Sequence, residues 1–503
     1  MAITTKNIAT RVAALVLFVA LQSCSTYNVK TAEIEADLLS GSYNEAAAHV
    51  EKNKFLRKKR NKLLYLMEKG KLEHINGNYI ESNKTLEEAY ILIDDKISTN
   101  AGQVVAAKLT NPMAEPYKGE DFEKVTIHYY KALNYAHLGM PNEALVEAKR
   151  INIKLDELNL KYPEEKKNKY RVDAFSLIVE GLLYEATGDI NGAFISYRNA
   201  YEVYERNGNS YFGVSLPLQL QKDLLRTSKK LGFAQEYNDY AKKFNLKATD
   251  APQAAEAVIF WENGLGPAKD QITVTLSSAG DIFYASYMDG DVMQDIILPI
   301  PLGTNLGTVN ALAIPKYRQR ENYYTGASLV VNGTEVPLEL AQDFYPIAKQ
   351  CLKDRMLREV IDMALRFAAK KGGSALLGAI AQGAFGGNSQ ERTRTDNNGV
   401  KKEEKTDAGD VGRLIGDIAG AATEKADTRN WQSLPATISY IRVPLVAGAD
   451  NVFTLKKYGR NGIDTQTITI PYKPGLQIVN YFDIGRKQPI APAATIQPDA
   501  GKN

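Results

Sequence analysis

The stretch Leu177-Ile178-Val179-Glu180-Gly181-Leu182-Leu183-Tyr184-Glu185-Ala186-Thr187-Gly188-Asp189-Ile190-Asn191-Gly192-Ala193-Phe194-Ile195-Ser196-Tyr197-Arg198-Asn199-Ala200 decides the fold of the N-terminal half. Apolar residues recur at helical spacing on both sides of Gly188-Asp189, so the segment reads as two helices joined by a tight turn. Gly188 supplies the left-handed residue that ends the first helix. Two antiparallel helices can approach closely only where side chains are small. Gly181, Ala193 and Ala200 meet that need at the crossing, and Tyr184 and Tyr197 fill the space beside them.

Working outward, the same frame recurs with decay. Gly70, Gly77, Ser82, Leu86 and Ala89 fit one unit; Ala132, Tyr135, Gly139, Ala144 and Ala148 fit another. Gly41 with Tyr43 and Ala46 marks an earlier unit, and Gly232 with Tyr237 and Ala241 a later one. The spacing resembles the tetratricopeptide repeat (TPR), on whose signature positions Gly181, Tyr184, Gly188, Ala193, Tyr197 and Ala200 fall. The turn glycines lie 36, 62, 49 and 44 residues apart, against about 34 for that repeat. Insertions are therefore expected around Asn100–Asp121 and Pro163–Tyr170. Repeat stacks present a long concave groove, and the resemblance implies binding of protein segments there.

Composition narrows the function. The 503 residues are 44% hydrophobic and 24% charged, with 62 Lys+Arg against 59 Asp+Glu. That balance suits folded domains with real cores and argues against disorder or a nucleic-acid partner. Two cysteines and four histidines supply neither a disulfide scaffold nor a Cys/His zinc cluster. His128 and His137 stand nine apart, the wrong spacing for a metal pair on one helix. No Gly-x-Ser-x-Gly or His-Glu-x-x-His occurs, so no catalytic residue, metal or cofactor is expected.

At the N-terminus, Lys6 and Arg11 precede the apolar run Val12–Leu21, the pattern of a removable secretory signal. Leu21-Gln22-Ser23-Cys24 resembles the bacterial lipoprotein box. The resemblance implies cleavage between Ser23 and Cys24 and a diacylglycerol thioether with an acylated amine on Cys24. Three acyl chains at about 0.8 kcal/mol per buried CH₂ hold a protein firmly on a bilayer. Ser25, where Asp would retain a lipoprotein at the inner membrane, points to the outer membrane. The absence of an acidic cluster over 25–30 favours its periplasmic face.

The pattern changes near Ala255. Val258-Ile259-Phe260-Trp261 reads as a strand running into the turn Glu262-Asn263-Gly264-Leu265-Gly266-Pro267, and Gln271–Ser277 alternates with Ile272, Val274 and Leu276 on one face. Further strands are expected at Asp295–Ile300, Thr308–Ile314, Ser328–Val336 (broken by an Asn332-Gly333 turn), Ile438–Leu445, Asn451–Lys457, Thr465–Ile470 and Leu476–Phe482. They suit a small antiparallel sheet or sandwich. Asp281 and Asp289 read as turn residues. Leu338–Lys371 reads as helical and carries Cys351, a buried and inert thiol. Small residues at Gly383 and Gly387, then at Gly412, Gly416 and Gly420, recur four apart and suggest paired glycine-zipper helices. Packing within the molecule or between copies is preferred for them over insertion into a membrane.

The fold class is thus α+β, a TPR-like α-solenoid followed by a mainly antiparallel β domain with inserted Gly-rich helices. The expected divisions are a signal peptide (1–23), a tether (24–30), the repeat domain (31–247), the β-rich domain (255–485) with a helical insertion (338–427) and its charged linker (389–408), and a flexible tail (486–503). The order of lipobox, divergent repeats, Glu262-Asn263-Gly264-Leu265-Gly266-Pro267 and Asp427-Thr428-Arg429-Asn430-Trp431 looks like a family of Gram-negative TPR lipoproteins without established biochemical activity. The resemblance implies a non-catalytic scaffold binding protein partners of an envelope assembly, secretion or cell-wall machine. The alternative is a membrane-active or oligomer-forming envelope protein using the glycine-zipper helices 372–387 and 409–426.

Overall fold

The computed structural model describes residues 27–97, 113, 115–160, 167–248, 254–279, 282–289, 292–299, 308–356 and 426–485. After a short turn of helix at Tyr27–Lys30, ten helices pair into five hairpins among these residues: α1 (Ala32–Ser40) with α2 (Tyr43–Lys52), α3 (Lys62–Ile75) with α4 (Tyr79–Ile97), α5 (Asp121–His137) with α6 (Pro141–Leu160), α7 (Ala174–Ala186) with α8 (Ile190–Arg206), and α9 (Leu218–Leu231) with α10 (Ala234–Phe244). Each of the five turns carries the expected glycine in the left-handed conformation. At Gly188 the amide of Asp189 returns to the carbonyl of Tyr184, closing a Schellman motif. Asp173 and Asp189 cap α7 and α8 by accepting the amides of Ser176 and Gly192.

The small residues do what close crossing requires. A Cβ on Gly181 would stand 2.3 Å from the Tyr197 ring, and one on Gly70 2.5 Å from Leu86. Ala89, Ala132, Ala144, Ala193 and Ala200 are buried in the same seams. Tyr135 and Tyr184 pack at the edge of the core. The interruptions expected at Asn100–Asp121 and Pro163–Tyr170 fall largely outside the described residues. So do Ser23, Cys24, Gly383, Gly387, Gly412, Gly416 and Gly420.

Three four-stranded sheets follow. The first has the order β8-β9-β1-β12, from β8 (Glu339–Asp343), β9 (Thr437–Pro444), β1 (Ala255–Asn263) and β12 (Gly475–Asp483). Its β1–β12 pair is parallel, Ala255 opposite Gly475 through Asn263 opposite Asp483, a departure from an all-antiparallel sheet. The second has the order β11-β10-β6-β7, from β11 (Gly462–Ile470), β10 (Asn451–Gly459), β6 (Tyr324–Val331) and β7 (Thr334–Pro337). Asn332 and Gly333, both at positive φ, make the expected turn between β6 and β7. The third has the order β4-β3-β2-β5, from β4 (Val292–Pro299), β3 (Ile282–Asp289), β2 (Ala268–Ala279) and β5 (Thr308–Arg318). The helical spacing read from Leu338 is a misreading for its first residues. Glu339–Asp343 pair with β9 as an edge strand, and the helix, α11 (344–356), starts only at Phe344.

Strand alternation builds three layers. On β1, Val258 and Phe260 face the helix stack while Ala257, Ile259 and Trp261 face the second sheet. On β9, Ile438 and Tyr440 take the helix side and Ile441 and Val443 the other. The first sheet is therefore buried on both faces, with helices on one side and a sheet on the other.

Candidate functional site

The same parity places one charged or amide side chain from each of three strands against the helices: Glu262 of β1, Arg442 of β9 and Asn480 of β12. The first helices of the last four hairpins meet them. Glu68, Lys71 and His74 share one face of α3 by their three-residue spacing. α5 adds Glu123, Tyr129, Tyr130, Asn134 and His137, α7 adds Glu185, and α9 adds Asp223.

At the centre, Lys71 donates to Glu262 Oε2 at 2.5 Å, both side chains fully buried. Tyr130 donates to the same carboxylate at 3.0 Å and Asn480 Nδ2 to its other oxygen at 2.8 Å. The ammonium lies 3.9 Å from the Tyr130 ring centroid. Burial pulls Lys71 down to about 8 despite its carboxylate partner. Burial raises the Glu262 carboxyl, but Lys71 outweighs it and holds the group below the usual range. Asn480 donates to His74 Nε2 at 2.9 Å, and His74 Nδ1 meets Asn134 Oδ1 at 2.6 Å. A carbonyl oxygen accepts, so His74 carries its proton on Nδ1 and is neutral, matching a value pulled to about 3 by burial.

Two flanking clusters complete the seam. Glu68 accepts the amides of Gln432 at 2.7 Å and Ser433 at 3.3 Å, and Glu123 accepts that of Trp431 at 2.8 Å. Arg429 reaches Asn61 Oδ1 at 2.8 Å and the Glu115 carbonyl at 2.9 Å. Lys269 pairs with Glu120; burial pushes that carboxyl up, but Arg355 and Lys269 outweigh it and hold it at about 2. At the far end Arg442 bridges Glu185, Asp223 and Glu256, and Arg226 also donates to the first two carboxylates. The two quoted motifs thus become locking elements: Glu262 and Arg429 supply charge, while Trp261 and Trp431 are core residues.

This seam corrects the expectation of an open groove. The row of first helices is packed against the chain's own sheet. A hollow lined in part by Tyr129, Asp173 and Gln342 measures about 10 Å³, room for one water at most. Among the described residues no group of three His, Cys, Asp or Glu side chains could hold a metal. His128 pairs with Glu147 and His137 with Asn480. Cys351 is buried on α11, its thiol pushed up by burial. The seam residues escape sequence reasoning, although one signal is present: Glu262 and Arg442 are charges at helix-facing positions of otherwise apolar strands.

No protein-family profile matches the sequence, and a search of curated proteins returns no match. Solved structures similar to part of the chain include a Podosopora anserina putative kinesin light chain with nearly identical TPR-like repeats, at 13% identity and a TM-score of 0.30 over 43% of this chain and 92% of that one. The apo form of RapI shows 12% identity and 0.31 over 46% and 56%. A Rap protein complexed with competence and sporulation factor shows 13% and 0.28 over 44% and 55%. The helix pairing described above, not these likenesses, carries the TPR-like reading.

Proposed function

We propose that the chain is a lipid-anchored, non-catalytic scaffold at the periplasmic face of the outer membrane, holding protein partners of an envelope assembly, secretion or cell-wall machine. The observation that carries the reading is which helix row is left exposed among the described residues. With the first helices clamped on the sheet, the second helices turn outward and expose large apolar side chains: Ile80 and Ile91 on α4, and Val146, Ile153 and Leu160 on α6. The last three are seven residues apart and share one face; Ile153 is 54% and Leu160 76% exposed. Apolar residues aligned this way on an outer face mark an interaction surface. The partner surface is thus proposed on the back of the stack rather than in its groove. Among the described residues no helix is long and apolar enough to cross a membrane, and the lipobox at Leu21–Cys24 supports attachment through lipid.

A photo-crosslinker placed at Leu160 in living cells should capture the same protein repeatedly, and Val146→Asp with Ile153→Asp in the same chain should abolish the adduct without unfolding the chain. Cys24→Ser should release the protein from the membrane fraction. Adducts that vary from culture to culture would sink the scaffold reading, and unchanged fractionation would sink the anchor.

A further inference from the structure

The outward face of α6 is complementary to itself. Ile153 stands midway between Val146 and Leu160, and all three side chains are exposed. At 3.6 residues per turn, Lys149 and Asp156 flank this stripe on one side and Arg150 and Glu157 on the other. Two contacts fix the sides. Lys149 Nζ lies 4.5 Å from the Tyr184 ring centroid on α7, and the Arg150 guanidinium lies 5.8 Å from that of Tyr90 on α4. On each side the base precedes the acid, and both are nearly equidistant from Ile153. Arg150 comes three residues before it and Glu157 four after; Lys149 comes four before and Asp156 three after.

The stability of the helix itself does not account for this order. A helix dipole favours acids near the N-terminus and bases near the C-terminus, yet the last turn of α6 carries Glu157 and no base. Nor does the rest of the chain use these charges up. Arg150 pairs with Glu147 and Glu157 with Lys154, but Arg150 stays 40% and Glu157 53% exposed, and surface pairs of this kind are weak. Asp156 is exposed as well. An antiparallel copy of the same helix satisfies every group at once. A two-fold axis crossing both helices at Ile153 sets Ile153 against Ile153 and Val146 against Leu160. It keeps each side of one helix on the same side of the other, so Arg150 meets Glu157 and Lys149 meets Asp156, each pair formed twice. The helix also belongs to the third of the five hairpins, at the middle of the outer row.

We propose that the partner of this face is a second copy of the chain, packed antiparallel through α6 about a two-fold axis at Ile153. The apolar stripe supplies the contact and the four ion pairs set its register and direction. One helix pair about 30 Å long buries less than the roughly 800 Å² per partner of a standard interface. The dimer is therefore weak in free solution and forms where copies are concentrated, as a shared membrane would concentrate them. The inference rests on the scaffold reading for the choice of face and names the occupant of that face.

The test oxidises membranes carrying the full-length chain with Cys351→Ala and one added cysteine, against the same chain without the addition. Ile153→Cys lies on the axis and should form a disulfide dimer several-fold above that control. Val146→Cys and Leu160→Cys each lie about 10 Å from the axis, so each alone should stay monomeric while the two co-expressed should cross-link. In the Ile153→Cys chain, Lys149→Glu with Arg150→Glu should weaken the dimer about 100-fold, and so should Asp156→Lys with Glu157→Lys. Co-expressing the two charge variants should restore it, which a merely damaged helix could not do. Cross-linking no greater than the control, equal cross-linking at all three positions, or no recovery from two charge variants that melt like the parent overturns the proposal. A monomeric Ile153→Cys chain whose Leu160 photo-adduct is one constant, different protein overturns the dimer and leaves the scaffold reading standing. A second copy as the sole adduct upholds the dimer and removes the support for a partner in an envelope machine.

Discussion

Arg442 joins four elements through one guanidinium, reaching Glu185 on α7, Asp223 on α9 and Glu256 on β1 from its place on β9. Burial raises the Glu185 carboxyl, but Arg442 and Arg226 outweigh it and hold the group well below the usual carboxylate range. Removing one partner from such a site leaves buried charge uncompensated. Arg442→Ala should therefore cost about 3–5 kcal/mol in chemical denaturation. Arg442→Lys should recover only part of this, since an ammonium lacks the planar fork. Glu68 makes the opposite case. Burial lifts it from 4.5 to about 7, even though the Gln432 and Ser433 amides favour its charged form. A carboxyl raised in the folded state contributes stability that is full at low pH and is lost as pH rises from about 4.5 through about 7. Wild-type stability should fall by about 3 kcal/mol across that window from this group. Glu68→Gln should flatten the slope, and equal slopes in the two proteins would refute the assignment.

Within the hairpins, two glycines separate crowding from backbone conformation. A Cβ on Gly181 would collide with the Tyr197 ring, which is pinned by its hydroxyl's 2.6 Å bond to Glu185. Gly181→Ala should cost about 1–3 kcal/mol through overpacking. Gly188 has no atom within 4 Å of such a Cβ but holds φ at +87°. Gly188→Ala should cost about 1 kcal/mol through the left-handed conformation alone. Thermal denaturation of double variants tells these apart: Tyr197→Leu should offset part of the Gly181→Ala loss and add independently to Gly188→Ala. These helical units are legible in the sequence because a close crossing dictates Gly or Ala at fixed spacing. The strands from Val258 and from Ile438 are legible through alternation. The seam is not, because Lys71 and Glu262 lie 191 positions apart and neither has a local feature that demands the other. Glu339–Asp343 misleads for a related reason: its local spacing allows a helix, and only pairing with β9 decides for a strand.

At the scale of the molecule, the seam makes the helical and β-rich halves interdependent. The row of first helices buries apolar surface and charge against the first sheet, and one hydrophobic core runs from Ile34 on α1 to Ile478 on β12. The chain's two tryptophans provide a direct test, since both belong to the C-terminal half. Trp431 packs edge-on against Tyr130 of α5 at 5.9 Å, while Trp261 lies between the two sheets against Tyr324. Helical circular dichroism reports mainly the N-terminal half. A chain of this size with separable domains should show two transitions. Because each half here completes the other's core, tryptophan fluorescence and helical dichroism should instead fall together, with equal midpoints in denaturant. Residues 27–248 expressed alone would leave the first-helix row facing water. They should bind hydrophobic dye and lose fixed tertiary packing while keeping most of their helix. Separate midpoints for the two probes, or a cooperative melt of 27–248 alone, would mean the seam is a loose contact between independent domains. The groove would then be open to a partner after all.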